Sequence, residues 1–228
     1  MKIIWLGHSS FRIEIEDAVL LIDPWLKDNP KFPDDRRDEA LSGVTHILLT
    51  HGHFDHASEV KTIAEETGAP VYGVMEMANL LGDGIETVGF NKGGTVALGA
   101  AKATMVNATH SSSYQGEDGS HYAGTESGYM IAGEGHTIYF SGDTDIMADM
   151  EWMGDLHNPD IGILCAGGHF TMDMERAAYA AKRYFDFKMV IPCHYGTFDA
   201  LAQDAQAMRA ALPGVDIRTP DVLEGVTV

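Results

Sequence analysis

The sequence predicts an α/β fold, a four-layer αββα sandwich in which two mixed β-sheets pack face to face with helices outside. Each half of the 228-residue chain begins with short apolar strands and continues with strand–loop–helix units, so the two halves echo each other. No linker or low-complexity segment divides the chain, and its length suits one large domain. We therefore predict a single domain spanning residues 1–228.

Three strands are predicted at the start of the chain. Residues 2–7 are mostly apolar, and Phe11–Glu16 alternates apolar and charged residues as a half-buried strand does. Ala18–Ile22 is more uniformly apolar, and it ends before Pro24 because proline cannot continue a hydrogen-bonded ladder. The polar residues 27–42 are expected to form an exposed connection.

The middle of the chain alternates strands with helices that stop at glycine. Val44–Thr50 is apolar and β-branched, which is typical of a buried strand. The spacing of apolar residues predicts helices at residues 58–67 and 75–81. Short strands are predicted at residues 70–73, 86–90, 94–98 and 102–108.

Residues 111–127 lack a periodic apolar pattern and are predicted to form a long loop. Loops of this length in compact domains are commonly functional, so we expect a lid or a substrate wall. Beyond it, strands are predicted at residues 128–132, 136–141, 161–165 and 188–193. Helices are predicted at residues 146–156, 173–185 and 200–212, and short strands finish the chain.

The formal net charge is −19, which opposes binding to nucleic acid or to an anionic membrane. No apolar run is long enough for a transmembrane helix. The N-terminus has no long apolar region and no small-residue cleavage site, so we expect no secretory signal and a cytoplasmic location. In that compartment Cys165 and Cys193 would be reduced thiols, and we expect them to be buried and inert.

A cluster of metal-binding residue types follows the predicted strand Val44–Thr50. The hexapeptide His51–His56 reads His-Gly-His-Phe-Asp-His, and imidazole and carboxylate groups suit zinc and other divalent metals. On a regular strand His51, His53 and Asp55 would share one face, and the last histidine would point the other way. Convergence requires a turn, so we predict a loop that folds around one or two metal ions.

The pattern His-x-His-x-Asp-His resembles the signature of the metallo-β-lactamase superfamily. His110, Asp143 and His194 each follow a predicted strand, in the order that this superfamily requires. The resemblance covers nearly the whole chain, up to His194, and it implies the αββα fold.

Within the superfamily, the chain is similar to a branch of metal-dependent hydrolases related to ascorbate-6-phosphate lactonase and to N-acylphosphatidylethanolamine phospholipase D. The residues that carry this similarity are Gly7–Phe11, Ile22–Trp25 and Gly167–Met172. The chain is shorter than the lactonase, so the lactonase substrate is not carried over.

The resemblance implies that seven side chains bind two divalent metal ions. They are His51, His53 and His110 for the first ion, Asp55, His56 and His194 for the second, and Asp143 as the bridge. Zinc is the first expectation, while manganese, iron and nickel stay open because cellular supply and affinity decide together. A water between the two ions would lose a proton near neutral pH, and the resulting hydroxide would attack a carbonyl or phosphoryl centre.

Further residues have candidate roles around that centre. Asp55 is a candidate for orienting the hydroxide or passing a proton, and His169 for the general acid or a hydrogen bond to substrate. His8 and Asp23 are candidates for orienting the metal ligands or facing the substrate. The remaining candidates for the pocket wall are Thr171 and Tyr195.

The sequence thus predicts a hydrolase that cleaves a small ester, lactone or phosphodiester, with a small-molecule substrate as its partner. A nuclease of the same fold is one alternative, which the acidic charge disfavours. A non-catalytic metal-binding scaffold or sensor is another, and such a protein would bind metal without hydrolysing any ester. A homo-oligomer is also compatible with a cytoplasmic enzyme.

Overall fold

A computed structural model describes residues 1–116 and 118–228 and contains two seven-stranded sheets. The strands are β1 (Lys2–Trp5), β2 (Phe11–Ile15), β3 (Ala18–Ile22), β4 (His46–Leu48), β5 (Val71–Val74), β6 (Thr87–Phe90), β7 (Thr95–Leu98), β8 (Ala101–Asn107), β9 (Ser113–Gly116), β10 (Gly119–Tyr122), β11 (Ser127–Gly133), β12 (His136–Phe140), β13 (Ile161–Cys165), β14 (Met189–Cys193), β15 (Asp216–Ile217) and β16 (Gly225–Thr227). The α-helices are α1 (Arg37–Leu41), α2 (Phe54–Ala57), α3 (Val60–Thr67), α4 (Met75–Leu81), α5 (Met150–His157), α6 (Met174–Tyr184) and α7 (Gln206–Ala211).

Both sheets are mixed, as predicted. The first has the order β16-β1-β2-β3-β4-β5-β6, antiparallel as far as β3 and parallel from β3 to β6. The second has the order β15-β14-β13-β12-β11-β8-β7, parallel as far as β12 and antiparallel beyond it. The two sheets therefore repeat one plan, which confirms the αββα sandwich and the echo between the halves of the sequence.

The core lies between the two sheets. Phe11 of the first sheet meets Phe140 of the second edge to face, with ring centroids 5.7 Å apart. The Tyr129 hydroxyl donates a hydrogen bond of 2.6 Å to the Leu49 carbonyl, which also joins the sheets. Tyr139, which precedes Phe140 on β12, points to the opposite face of the sheet and stacks on Phe185. This alternation places one face of each strand in the core and the other beneath helices.

Several predicted boundaries differ from the observed ones. The strand predicted at 44–50 is only β4, and the helix predicted at 146–156 begins at Met150. The helix predicted at 200–212 begins only at Gln206, because the Gln203 amide donates to two preceding carbonyls and the Asp204 carboxylate accepts from the Gln206 amide. The connection 27–42 is exposed as predicted for the most part, but it also contains a short 3-10 helix and α1.

The segment 111–127 is not an irregular loop. Strands β9 and β10 pair antiparallel in it, and Gly116 faces Gly119 at the turn. The prediction missed this hairpin because its strands are polar and half exposed, without an alternating apolar pattern. Glu117, within the predicted loop, lies outside the described residues. Movement of this hairpin as a lid stays a prediction.

In the part of the chain that the structure describes, no helix is both long and apolar enough to cross a membrane.

Candidate metal centre

The predicted metal ligands lie where strands of both sheets end. Residues at the carboxyl ends of parallel strands meet at one edge of a sheet, which is where α/β proteins place their ligands. Here Asp23 follows β3, Asp143 follows β12 and His194 follows β14. His110 follows β8, which runs in the antiparallel part of the second sheet. The fold therefore brings distant parts of the chain to one place.

The hexapeptide His51–His56 makes the turn that convergence requires. The chain leaves β4, passes two histidines and enters the one-turn helix α2, where the amides of His56 and Ala57 bond to the His53 carbonyl. This turn buries Asp55 and His56 and leaves the intervening Phe54 facing outward with 59% of its surface exposed. On a regular strand His56 would point away from the other three ligands of the motif. The turn into α2 brings it to the same side.

One oxygen of Asp143 is the centre of the cluster. Its Oδ2 lies 3.0 Å from His194 Nε2, 3.3 Å from His56 Nε2, 3.6 Å from His110 Nε2 and 3.9 Å from His51 Nε2. Because it faces ligands predicted for both ions, Asp143 stands between the two half-sites. This is the position that a bridging carboxylate would occupy.

Two groups of potential ligand atoms flank Asp143. His51, His53 and His110 form one, and within it His51 Nε2 lies 3.0 Å from His53 Nδ1. The other contains the remaining predicted ligands with one addition, and its members are His8, Asp55, His56 and His194. In each group the ligand atoms lie within 4.8 Å of one another. A third group, formed by Asp23, His51 and His56, shares one histidine with each of these two. The assignment of the ligands to two separate ions stays a prediction.

The added residue, His8, contacts the carboxylate of Asp55. His8 Nε2 lies 2.9 Å from Asp55 Oδ2, and His8 Nδ1 lies 2.9 Å from the Thr197 hydroxyl. The His8 carbonyl accepts hydrogen bonds from the amide of His194 and the indole of Trp5. His8, in the first turn of the chain, therefore contacts both Asp55 and His194, two of the ligands predicted for the second ion.

Asp23 fixes the orientation of His56. The fully buried Asp23 Oδ2 lies 2.8 Å from His56 Nδ1 and accepts a hydrogen bond of 2.6 Å from the Thr50 hydroxyl. Its Oδ1 accepts a bond of 2.7 Å from the Thr50 amide. A carboxylate at Nδ1 favours the tautomer that leaves the Nε2 lone pair facing the cluster. This contact matches the orienting role predicted for Asp23.

The backbone is left-handed at three of these positions. The φ angles are 53° at His8, 46° at Asp23 and 58° at His194. Such angles are uncommon for residues other than glycine, and they cluster at functional sites where the surrounding structure enforces them. Each of the three residues follows a strand and turns its side chain into the cluster.

Burial and mutual charge shift the titration of these groups. Burial lowers the pKa of His8 to about 4 and the pKa of His51 well below its ordinary value. For His56 and His194, burial also lowers the pKa, but neighbouring carboxylates outweigh it, so the pKa of His56 rises well above normal and that of His194 rises to about 9. The same histidines hold the pKa of Asp143 well below normal despite its burial.

The donor set fits divalent metal ions. His56 Nε2 and Asp143 Oδ1 are buried without a hydrogen-bond partner among the described residues, although unpaired buried polar atoms are costly. Imidazole nitrogens that converge on one carboxylate oxygen are the donor atoms that a divalent ion takes in proteins. Histidine and aspartate are ligands for zinc, manganese, iron and nickel alike, so the set itself does not select one metal.

Two glycines allow the close approaches that bring these segments together. A Cβ atom on Gly167 would overlap the carbonyl oxygen of His194. At Gly142, just before Asp143, φ is +58° and a Cβ would overlap the Ser127 carbonyl. Only glycine fits at these two points, where neighbouring strands end side by side.

A cavity of about 630 Å³ opens over the cluster. Its floor contains His53, Asp55, His110, Asp143 and His194. Its walls are formed by Phe54, Phe170, Phe198 and Ala200 on the apolar side and by Ser111, Ser113, Gln115 and Ser120 on and beside the hairpin. This size lies in the range of small-molecule sites.

The structure separates three predicted pocket residues from this cavity. His169 is exposed, and its ring contacts Phe170 edge to face at 4.4 Å, but it does not line the cavity. Thr171 is also absent from the lining, and its hydroxyl bonds to the Met172 carbonyl. Tyr195 was expected in the pocket wall; instead it stacks on Trp5 at 5.5 Å and lines a different cavity, because the left-handed turn at His194 directs the next side chain away.

Sequence reasoning missed the aromatic wall and the hydroxyl partners. Trp25 is buried and contacts both Phe54 and Phe198, with centroids 5.7 Å and 6.0 Å away. Thr50 and Thr197 hold the groups that orient the ligands. In the sequence, Thr50 directly precedes His51 and Thr197 follows His194 by three residues, which was a weak signal for these two hydroxyls.

The two cysteines are free and buried, and they are register partners on β13 and β14. Burial raises the pKa of the Cys165 thiol to about 12 and that of Cys193 well above normal. Thiols in this state are poor nucleophiles, which agrees with the expectation of inert core residues.

Comparisons with known proteins agree with this geometry. Residues 19–195 match the model of the β-lactamase superfamily domain. The chain is 66% identical over 228 residues to a protein of Paracoccus denitrificans named metal-dependent hydrolase, and the match covers 99% of each chain. A solved metallo hydrolase of the archaeon Ignicoccus hospitalis superposes with a TM-score of 0.85 at 30% identity, covering 99% of this chain and 97% of that one. A metallo-β-lactamase fold protein of Bacillus subtilis, at 15% identity and a TM-score of 0.76, shares the fold over 99% of this chain and 98% of its own.

Proposed function

Because this chain belongs to the metallo-β-lactamase superfamily, we propose that it is a hydrolase that uses two divalent metal ions to cleave a small ester, lactone or phosphodiester. The observation that carries the proposal is the position of Asp143 Oδ2, within 3.9 Å of Nε2 of four histidines drawn from both half-sites. A relative at 66% identity is named a metal-dependent hydrolase, which supports the reaction class.

In this proposal His51, His53 and His110 hold the first ion, Asp55, His56 and His194 the second, and Asp143 both. Bound divalent ions lower the pKa of water to about 7 and polarise the oxygen of a carbonyl or phosphoryl group. Zinc is our first expectation, since imidazole and carboxylate ligands are typical of it. Orienting the water and protonating the leaving group would be the work of side chains.

Asp55 would orient the attacking water. Its carboxylate lines the cavity and is held by His8. Burial raises its pKa, but the surrounding histidines outweigh burial and keep the pKa far below its ordinary value. A carboxylate that stays ionised serves better as a hydrogen-bond acceptor than as a proton store.

His169 remains a candidate general acid for the leaving group. Its ring is exposed and contacts Phe170, which does line the cavity. A substrate that covers Phe170 would lie next to this loop. This role requires the His169 ring to turn toward the cavity.

Asp143→Ala tests the proposal. We expect the variant to lose most of its bound metal and its hydrolytic activity, because the one oxygen that faces both half-sites is removed. Metal content by elemental analysis and turnover on an ester and phosphodiester panel are the measurements. Full activity in this variant would refute the dinuclear mechanism, and bound metal in the parent without turnover on the panel would favour the non-catalytic scaffold.

Nucleic acid is not the substrate that the chain favours. The net charge of −19 would repel a polyanion at long range. A cytoplasmic location and a homo-oligomeric state stay predictions, which fractionation and light scattering would test.

A further inference from the structure

The charge of the cavity lining bears on the choice of substrate. Within residues 1–116 and 118–228, its lining contains neither lysine nor arginine. The titratable groups in the lining are two aspartates and three histidines, and all five belong to the proposed metal centre. Sites that bind phosphate or carboxylate groups usually supply arginine or lysine clamps. A negative charge on the part of the substrate that lies along these walls, away from the metal centre, would find no such partner.

The apolar wall contains three aromatic rings and is partly exposed. Phe54 and Phe198 both contact the buried Trp25, which supports them from beneath. Phe170 is contributed by the loop after β13 and is 54% exposed, while Phe54 is 59% exposed. When an apolar group covers exposed aromatic rings around a cavity, the burial of apolar surface favours binding.

The described residues of the opposite wall offer neutral hydrogen-bonding groups. Three serines and Gln115, from the hairpin and the residues before it, line the cavity. Gly52 fixes this wall against the metal loop, because a Cβ there would approach the Ser113 carbonyl to 2.9 Å. Hydroxyl and amide groups orient an uncharged polar substrate without selecting for charge.

We infer that the substrate is an uncharged carboxylic ester or lactone with an apolar acyl group, which lies along Phe54, Phe170 and Phe198 with its carbonyl over the metal centre. This inference rests on the proposed hydrolase function and narrows it to carboxylic esters and lactones whose acyl group is uncharged. In the reaction, water adds to the carbonyl carbon, the carbon–oxygen bond to the leaving group breaks, and the leaving oxygen takes a proton. No oxidant or second substrate is needed.

Matched substrates on the metal-loaded protein separate the effects of length and charge. We would measure kcat/KM for p-nitrophenyl acetate, butyrate and hexanoate, and for the p-nitrophenyl monoester of adipic acid, whose acyl chain ends in a carboxylate. Each methylene that the wall covers completely should raise kcat/KM by about fourfold. We expect hexanoate to exceed acetate by at least about tenfold and the adipate ester to fall at least about tenfold below hexanoate. Bis-p-nitrophenyl phosphate should show a lower kcat/KM than p-nitrophenyl hexanoate.

Two variants assign the effect to the wall. Phe170→Ala should reduce the hexanoate-to-acetate ratio at least about threefold, whereas Tyr179→Ala should leave it unchanged. Tyr179 is a matched control because it is 57% exposed on α6 and does not line the cavity. Calorimetry with hexanamide gives a readout without turnover, and its binding heat capacity should be more negative in the parent than in Phe170→Ala.

The outcomes distinguish this inference from the proposed function. Hydrolysis without length dependence, or with a preference for the adipate ester or the phosphodiester, would overturn the inference and leave the hydrolase proposal standing. No hydrolysis of any substrate by protein that holds its metals would refute the proposed function, and the inference would fall with it.

Discussion

Asp23→Asn tests how the fold prepares His56 to bind metal. Asp23 Oδ1 accepts from the Thr50 amide, so the asparagine oxygen should keep that position. Its NH2 group would then replace Oδ2, which faces the Thr50 hydroxyl and His56 Nδ1. The hydroxyl can rotate and accept, but His56 Nδ1 would have to become an acceptor as well. The ring proton would move to Nε2, which is the atom that faces Asp143.

The expected loss is in metal affinity. A protonated Nε2 cannot bind metal, and changes to groups that orient a ligand typically cost 10–100-fold in affinity. That range corresponds to about 1.4–2.7 kcal/mol for the half-site containing His56. The metal-free protein should also unfold about 1–3 kcal/mol more easily, because hydrogen bonds to a charged, buried group are lost. Competition with a chromophoric chelator measures affinity, and denaturant unfolding measures stability.

Asp160→Asn is the matched control. Asp160 makes the same pair of contacts away from the cluster, since it accepts from the Thr137 amide at 3.0 Å and lies 2.7 Å from His136 Nδ1. It should change stability without changing metal affinity. If Asp23→Asn binds metal as tightly as the parent, or no worse than the control does, the tautomer argument is refuted.

Three further predictions concern other groups around the site. His8→Ala should lower turnover by about tenfold because Asp55 loses its support, and His8→Gln should restore part of it, since its amide can donate to Asp55; equal defects in both would contradict this role. His169→Ala should keep its metal content and lower turnover, as measured by elemental analysis and steady-state kinetics, and normal kinetics would make this residue structural. Both cysteines should react with a thiol reagent only after denaturation, and rapid reaction of the native protein would show that their burial is incomplete.

The sequence was sufficient for the arrangement of layers and for the placement of the cluster. The hexapeptide His51–His56 and the strand endings before His110, Asp143 and His194 predicted residues that the structure brings together. This succeeded because strands are visible as apolar runs, and because the carboxyl ends of parallel strands share an edge.

The sequence was less informative where local hydrogen bonds decide the backbone. The hairpin β9–β10 is polar, so it left no period-two pattern to detect. Tyr195 faces away from the cavity because of one left-handed residue before it, which composition does not reveal. The wall formed by Phe54 and Phe198 depends on contacts with Trp25 across the chain. Such details arise from tertiary packing rather than from local propensity.

The most direct test is the metal content of untagged protein, purified without added metal and measured by elemental analysis before and after reconstitution. Two half-sites around Asp143 predict about two divalent ions per chain, with both lost on chelation and regained on reconstitution. One ion or none per chain after reconstitution would contradict the dinuclear centre on which the proposed function depends.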